Sequence, residues 1–280
     1  MRTIWLNGEW LSESEAKVSV FDRGLLFGQS VYEVVPVLGG RLANYPYHMA
    51  RLANSLKLAG IADTADWQAV FEEAVARNGL VEGRVYLQVT GGVVADRDFL
   101  TPIPPPQPTR IVFTQGARLV DNPQAETGLR IVLRPEGRWQ LRSAKTTQLL
   151  YAVLMKEEAR AAGVDDAWLV EDGVITEGTS SNAHIIDSYG ALVSHPVDSG
   201  VLPGITRISV LEIAREMGLT VEERAFTPDE LFAAREAFLS AAGSLVLPVV
   251  EVDGQAIGEG VPGPVSREIR TRYIARLTAA

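Results

Sequence analysis

The 280-residue chain contains no cysteine. Disulfides, thiolate metal sites and a cysteine nucleophile are excluded together. Histidine is nearly as scarce: His48, His184 and His195 match no metal-ligand spacing and read as structural residues. No apolar stretch is long enough to span a bilayer, since the most apolar one, Phe238 to Val250, is short and interrupted by Ser, Gly and Pro. The first ten residues hold no apolar core of signal-peptide length. A long basic block is also missing. With 26 basic against 35 acidic residues the formal charge is −9, so neither nucleic acid nor an anionic membrane surface is an expected partner. No Gly-x-Gly-x-x-Gly or P-loop supports a dinucleotide or nucleotide site. What is left is a globular composition, 46% hydrophobic and 22% charged, for which a cytoplasmic enzyme is the expectation.

Lysine is scarce in a useful way. Only Lys17, Lys57, Lys145 and Lys156 stand among the 26 basic residues; the rest are arginine. A reactive amine therefore has four possible addresses. Lys57 and Lys156 fall on amphipathic helical patterns beside polar neighbours, and Lys17 reads as surface too. Lys145 differs, lying among the small uncharged residues Ser143, Ala144, Thr146 and Thr147. A lysine at an element end in such company can project into a cleft.

Strand and helix patterns alternate along the chain. Thr3 to Leu11 reads as a hairpin turned at Asn7-Gly8. Strands are expected at Val31–Leu38, Arg84–Thr90 and Arg110–Thr114, and helices at Pro46–Leu58 and from Asp66, as cap, to about Asn78. Pro102 to Pro108 reads as a stiff loop. In the second half, Leu129–Leu133 and segments near 166–170, 182–187, 191–194, 220–224, 237–240 and 245–252 read as strands. Thr146–Ala162, Gly204–Met217 and Pro264–Leu277 read as helices, and Thr227 to Glu230 carries a helix-start signature. An α+β protein of two domains follows: a small one at 1–115, a linker at 116–127 and a larger one at 128–280.

Two segments could serve a ligand. Thr176 to Asn182 surrounds the acid Glu177 with hydroxyls and small side chains, and Gly204 to Arg207 opens a helix where backbone N–H groups suit a phosphate. An amine, an acid and a phosphate cradle together match a Schiff-base cofactor, pyridoxal phosphate, whose ring nitrogen needs a carboxylate partner.

These residues also carry a resemblance. Arg51 in His48-Met49-Ala50-Arg51, Lys145 followed by Thr146-Thr147-Gln148, Glu177 in Thr176 to Asn182, and Leu202 to Arg207 resemble the motifs of the class IV aminotransferases, the fold-type IV pyridoxal phosphate enzymes. The likeness runs in order from Asp22 to Gly254. It implies a two-domain fold with a smaller N-terminal α/β domain and a larger barrel-like C-terminal domain, and a homodimer. It further implies that Lys145 forms the Schiff base and moves protons, and that Glu177, positioned by Arg138, meets the ring nitrogen. Arg51, Ile205 and Thr206, with Ser180 and Ser181 nearby, would hold the phosphate; Leu202 would pack against the ring. Ala242, in Ser240 to Ser244, would lie near the phosphate.

Tyr32, Val34 and the rest of Val31 to Val37 look like the substrate strand of the D-amino acid transaminases. That resemblance implies amino transfer between a D-amino acid, such as D-alanine or D-glutamate, and pyruvate or 2-oxoglutarate. The usual carboxylate-binding Arg-x-His pair reads here as Arg97-Asp98-Phe99, and the Arg usually found after Thr90 is Gly91. Phe99 in place of His removes a donor and is expected to weaken carboxylate binding by about 1.5–3 kcal/mol. An (R)-selective amine transaminase taking carboxylate-free amines is the alternative; a lyase of the aminodeoxychorismate type fits the Tyr32–Val37 strand poorly.

Overall fold

The computed structural model describes residues 2–197 and 200–279. The chain forms two compact units. Arg118 and the residues before it join Ala144–Gln148 in the first; Leu119–Ser143 and the chain from Leu149 onward make the second.

In the first unit, β1 (Thr3–Leu6) and β2 (Glu9–Ser12) make the hairpin, with Asn7 and Gly8 both at positive φ. A short helix α1 (Arg23–Phe27) follows, capped by Asp22, whose carboxylate accepts from the Gly24 N–H at 2.8 Å. Then come β3 (Ser30–Leu38), β4 (Arg41–Leu42), α2 (Tyr45–Leu58), α3 (Gln68–Arg77), β5 (Gly83–Thr90) and β6 (Arg110–Gly116). The helix expected at 66–78 begins at Gln68. Asp66 still serves its first turn, accepting from the Gln68 N–H at 3.1 Å from one residue outside the cap position. The six strands form one sheet in the order β2-β1-β6-β5-β3-β4. Alternation decides its core. Val31, Val35 and Val37 of β3 and Val85, Leu87 and Val89 of β5 face Leu52 and Leu56 of α2 and Phe71 of α3. Tyr32 and Val34 point the other way and stay half-buried.

The second unit runs α4 (Gln124–Thr127), β7 (Leu129–Pro135), α5 (Leu150–Ala161), β8 (Asp166–Glu171), β9 (Val174–Gly178), β10 (Asn182–Ile186), β11 (Leu192–Ser194), α6 (Ile205–Glu216), β12 (Val221–Glu223), α7 (Pro228–Phe232), β13 (Glu236–Ala241), β14 (Leu245–Val252), β15 (Gln255–Ala256) and α8 (Pro264–Ala279). Its nine strands form a mixed sheet, β12-β11-β10-β13-β14-β7-β8-β9, with β15 on β14. The edge strand β9 turns directly into β10, which curls the sheet. Ile131, Trp168, Ile175, Ile185, Phe226 and Leu239 fill one core, while Val132, Ala167 and Leu169 bury against Met155 and Ala159 of α5. Two of the differences from expectation bear on the site residues. β9 covers residues for which no strand is expected from the sequence. The helix expected over Thr146–Ala162 starts only at Leu150, because Thr146 bridges to Val31 and the Thr147 N–H donates to Ser30 O at 3.1 Å. The Lys145 carbonyl, which a helix from Thr146 would turn toward the Leu149 N–H, accepts from the Tyr32 N–H instead. No helix of the described residues is long and apolar enough to cross a membrane.

Candidate active site

Lys145 is fixed through its backbone. Its N–H donates to the buried Ser55 Oγ of α2 at 3.1 Å, and its carbonyl accepts from the Tyr32 N–H of β3 at 3.0 Å. The side chain is half-buried, and the ammonium lies 4.2 Å from the Tyr32 ring centroid. Among the described residues it makes no ion pair. Lys17 and Lys57 are exposed, and Lys156 is a surface residue paired with Asp166. The Tyr32 ring continues in a stack over Tyr86 and Phe113 along the half-open sheet face.

On the opposite face of β3 lies Glu33, a residue that no sequence motif singles out. It is fully buried, a charge among valines, and such a group must be paired. Arg51 supplies two parallel hydrogen bonds of 2.8 Å from Nε and Nη2, and His48 Nδ1 adds a third at 2.8 Å. Burial works to raise the Glu33 carboxyl, but the Arg51 guanidinium and the His48 ring outweigh it and hold it at about 2. Burial pushes His48 below the ordinary imidazole range.

Arg97 and Phe99 are exposed on the loop after β5. The Arg97 guanidinium rests 5.1 Å from the Phe99 ring and 5.2 Å from the Phe27 ring, and the two rings pack at 5.3 Å. Beneath them the buried Arg23 donates to the carbonyls of Asp98, Phe99 and Leu100 at 2.9, 3.0 and 3.3 Å, pinning the loop. Phe99 is thus part of the surroundings that hold Arg97.

In the second unit the acid is Glu177, near the end of β9 and 3% exposed. Arg138 Nη1 donates to it at 2.6 Å, Asn182 Nδ2 at 3.0 Å, and the Leu202 N–H reaches both oxygens at 3.2 Å. Burial pushes its carboxyl above the usual range against the pull of Arg138. Asn182 is a site residue that the sequence reading misses, although it ends the Thr176–Asn182 motif. It also donates to Leu202 O at 2.9 Å and lies so close to Gly204 that a Cβ there would sit 1.9 Å from its Oδ1. From Gly204 starts the twelve-residue helix α6, whose first turn has no side-chain cap. Ile205 and Thr206 therefore offer backbone N–H groups at a positive helix end. Ser181 Oγ, beside Asn182, is buried without a hydrogen-bond partner. Ser180 is exposed. Ala242 lies two residues beyond Ser240, which faces Asn182 across β10 and β13. His184 is sealed in the core against Ser240 Oγ, and no group of metal-ligating residues exists among those described.

The donor set suits pyridoxal phosphate. A buried carboxylate held by Arg138, Asn182 and the Leu202 N–H fits a protonated ring nitrogen, and an uncapped helix start with an unpaired buried hydroxyl fits a phosphate.

Comparison with known proteins agrees. The family model for Amino-transferase class IV matches residues 30–252. The chain is 36% identical to a D-alanine aminotransferase of Bacillus licheniformis over 96% of this chain and 94% of that one. It is 34% identical to a D-alanine aminotransferase of Staphylococcus aureus (strain N315), with coverage of 98% and 97%. Among solved structures it resembles the branched-chain amino acid aminotransferase of Escherichia coli, with a TM-score of 0.89, 26% identity and coverage of 99% and 95%. A structure of the T.th. branched-chain amino acid aminotransferase with pyridoxamine 5'-phosphate also matches at a TM-score of 0.89, with 28% identity and coverage of 99% and 94%. The chain belongs to the class IV aminotransferases and is a pyridoxal phosphate-dependent enzyme of that family.

Proposed function

We propose that this enzyme moves an amino group from a D-amino acid, such as D-alanine or D-glutamate, to an α-keto acid, pyruvate or 2-oxoglutarate. The observation that carries the reading is the contrast among the four lysines. Lys145 is held by β3 and α2, is half-buried, and has an aromatic face rather than a carboxylate beside its ammonium. The choice of D-amino acids draws support from the D-alanine aminotransferases that match over nearly the whole chain.

Bound pyridoxal phosphate delocalises the charge that develops at the substrate Cα when its proton leaves. In this reading Lys145 Nζ is the cofactor-linking amine and the base that takes that Cα proton. Glu177 keeps a proton on the ring nitrogen, oriented by Arg138. Arg51, Ser180, Ser181 and the first-turn N–H groups of Ile205 and Thr206 bind phosphate, with Ala242 beside it, and Leu202 packs on the ring. Tyr32 and Val34 line the substrate strand. Arg97 takes the substrate carboxylate, with Phe99 holding it in place.

The enzyme works as a cytoplasmic homodimer in this proposal. Exposed Leu150, Val153 and Leu154 on one face of α5 supply apolar surface for a second copy.

The test is a half-reaction panel of D-alanine, D-glutamate, L-leucine and (R)-1-phenylethylamine, each followed by the visible band of the bound cofactor. D-alanine and D-glutamate should react fastest. Fast L-leucine alone would overturn the stereochemical assignment, and a fast amine with slow D-amino acids would support the amine transaminase. Lys145→Ala should lose both the lysine-linked band and turnover; retention of both would overturn the role of Lys145.

A further inference from the structure

Glu177 does not have Arg138 to itself. The Arg138 guanidinium turns its Nε and Nη2 edge toward a second buried carboxylate, Glu136, at 3.0 and 2.6 Å, and its backbone N–H donates to Glu136 Oε1 at 2.9 Å. Only Nη1 is left for Glu177. The side chain of Glu136 is 1% exposed, lying just past the end of β7. Arg142 Nη1 lies 3.1 Å from Glu136 Oε2, and Arg142 also pairs with the half-exposed Glu171. The Thr176 hydroxyl lies 3.1 Å from Glu136 Oε2, and the ring of Tyr151, whose OH donates to Pro135 O, lies nearby. Three carboxylates therefore meet two guanidiniums in a chain, Glu177–Arg138–Glu136–Arg142–Glu171.

A guanidinium is planar, so gripping its Nε–Nη2 edge fixes where Nη1 points. A second buried negative charge sharing the same cation also leaves less of that cation's field for Glu177. Glu177 and Glu136 divide one guanidinium, while Glu136 alone has Arg142 in addition.

We propose that Glu136 is a positioning residue that sets how firmly Glu177 holds a proton-bearing ring nitrogen: it aims Arg138 at Glu177 and supplies a second negative charge, which Arg142 moderates. This inference rests on the reading of Glu177 as partner of the cofactor's ring nitrogen. Burial would raise the Glu136 carboxyl, but the Arg138 hydrogen bonds outweigh it and keep it ionised, as the assignment requires.

The experiment is ¹⁵N NMR of the holoenzyme loaded with pyridoxal phosphate labelled at the ring nitrogen, titrated in pH. Glu136→Gln removes negative charge and should lower the pH at which the ring nitrogen loses its proton by about one unit. Arg142→Gln removes positive charge and should raise it by a similar amount. Glu136→Asp keeps the charge and should fall near wild type. In turnover, Glu136→Gln should lose roughly tenfold in kcat with KM within about twofold. Opposite shifts are the signature of an electrostatic role; loss of packing would move both variants the same way. Shifts of the same sign, or none, would overturn the proposal, and the Arg142→Gln and Glu136→Asp arms decide it even if Glu136→Gln does not fold. Glu177→Gln separates the two levels. If it leaves the ring proton unchanged, the reading of Glu177 itself fails. If it removes that proton while the Glu136 and Arg142 variants shift nothing, only the present inference fails.

Discussion

Arg51 grips Glu33 through two parallel hydrogen bonds of 2.8 Å on the buried face of β3. The pair joins β3 to α2 at the level where Ser55 of the same helix receives the Lys145 N–H. A charge on a face otherwise filled by valine is tolerated only while its partner stays in place.

Glu33→Gln should therefore destabilise the fold by about 3–5 kcal/mol, since it strands a buried guanidinium. The pH dependence has a definite sign. A carboxyl depressed from 4.5 to about 2 stabilises the fold fully above pH 4.5, and that contribution disappears as the pH falls toward 2. Urea unfolding across this range should show a steep acid loss in wild type and a flatter one in the variant. Equal curves would mean that Glu33 is not ionised in the folded protein.

His184 makes a second acid-sensitive point. Its ring is sealed in the core, stacked on Phe238 at 4.9 Å, with Nε2 2.9 Å from Ser240 Oγ. Burial, aided by the Arg207 charge, lowers it to about 3 from 6.5. The folded state then holds a neutral ring down to pH 3, while the unfolded chain takes up a proton below pH 6.5, so stability falls as the pH drops through this window. His184→Gln should remove about 1.4 kcal/mol per pH unit from the slope of unfolding free energy between pH 6.5 and 3. An unchanged slope would show that the ring charges inside the fold.

Phe99 reads from the sequence as a lost donor, yet its ring is one of two that hold Arg97. An exposed cation–π contact is worth about 0.5–1 kcal/mol. Phe99→Ala should raise KM for 2-oxoglutarate roughly two- to fivefold with kcat little changed, and leave (R)-1-phenylethylamine, which has no carboxylate, unaffected. A matching loss for the amine would place Phe99 elsewhere in the reaction.

Local signals in this sequence are the readable ones. Asn7-Gly8 announces the first hairpin, and Thr227 with Glu230 forms the capping box its spacing suggests. Lys145 and Glu177 stand out by scarcity and by motif. What escapes depends on partners distant in sequence. Thr146 and Thr147 look helical until Val31 and Ser30 claim their backbone groups. Helix α1 spans five residues, too short to show a period. β9 is hidden because the hydroxyl-rich run around Glu177 also reads as loop. Glu33 and Glu136 look like ordinary surface acids, and only the fold reveals the arginines that let them be buried.

Gly204 offers the most direct test of how the acid and the helix start depend on each other. Its φ of −69° is open to any residue, so backbone strain does not require glycine here. The neighbour does: an added Cβ would fall 1.9 Å from Asn182 Oδ1. Gly204→Ala must displace Asn182, which donates to both Glu177 Oε2 and Leu202 O. Glu177 would lose one of its donors, and the helix start would shift away from the acid. The expected result is a loss of about 1–3 kcal/mol in stability and a cofactor affinity lower by roughly tenfold or more. Thermal unfolding without cofactor and equilibrium binding of pyridoxal phosphate measure the two effects separately. Asn182→Ala should reproduce the affinity loss without steric conflict at Gly204. If Asn182→Ala binds cofactor as wild type does while Gly204→Ala does not, the defect lies in the helix start and not in the donors around Glu177.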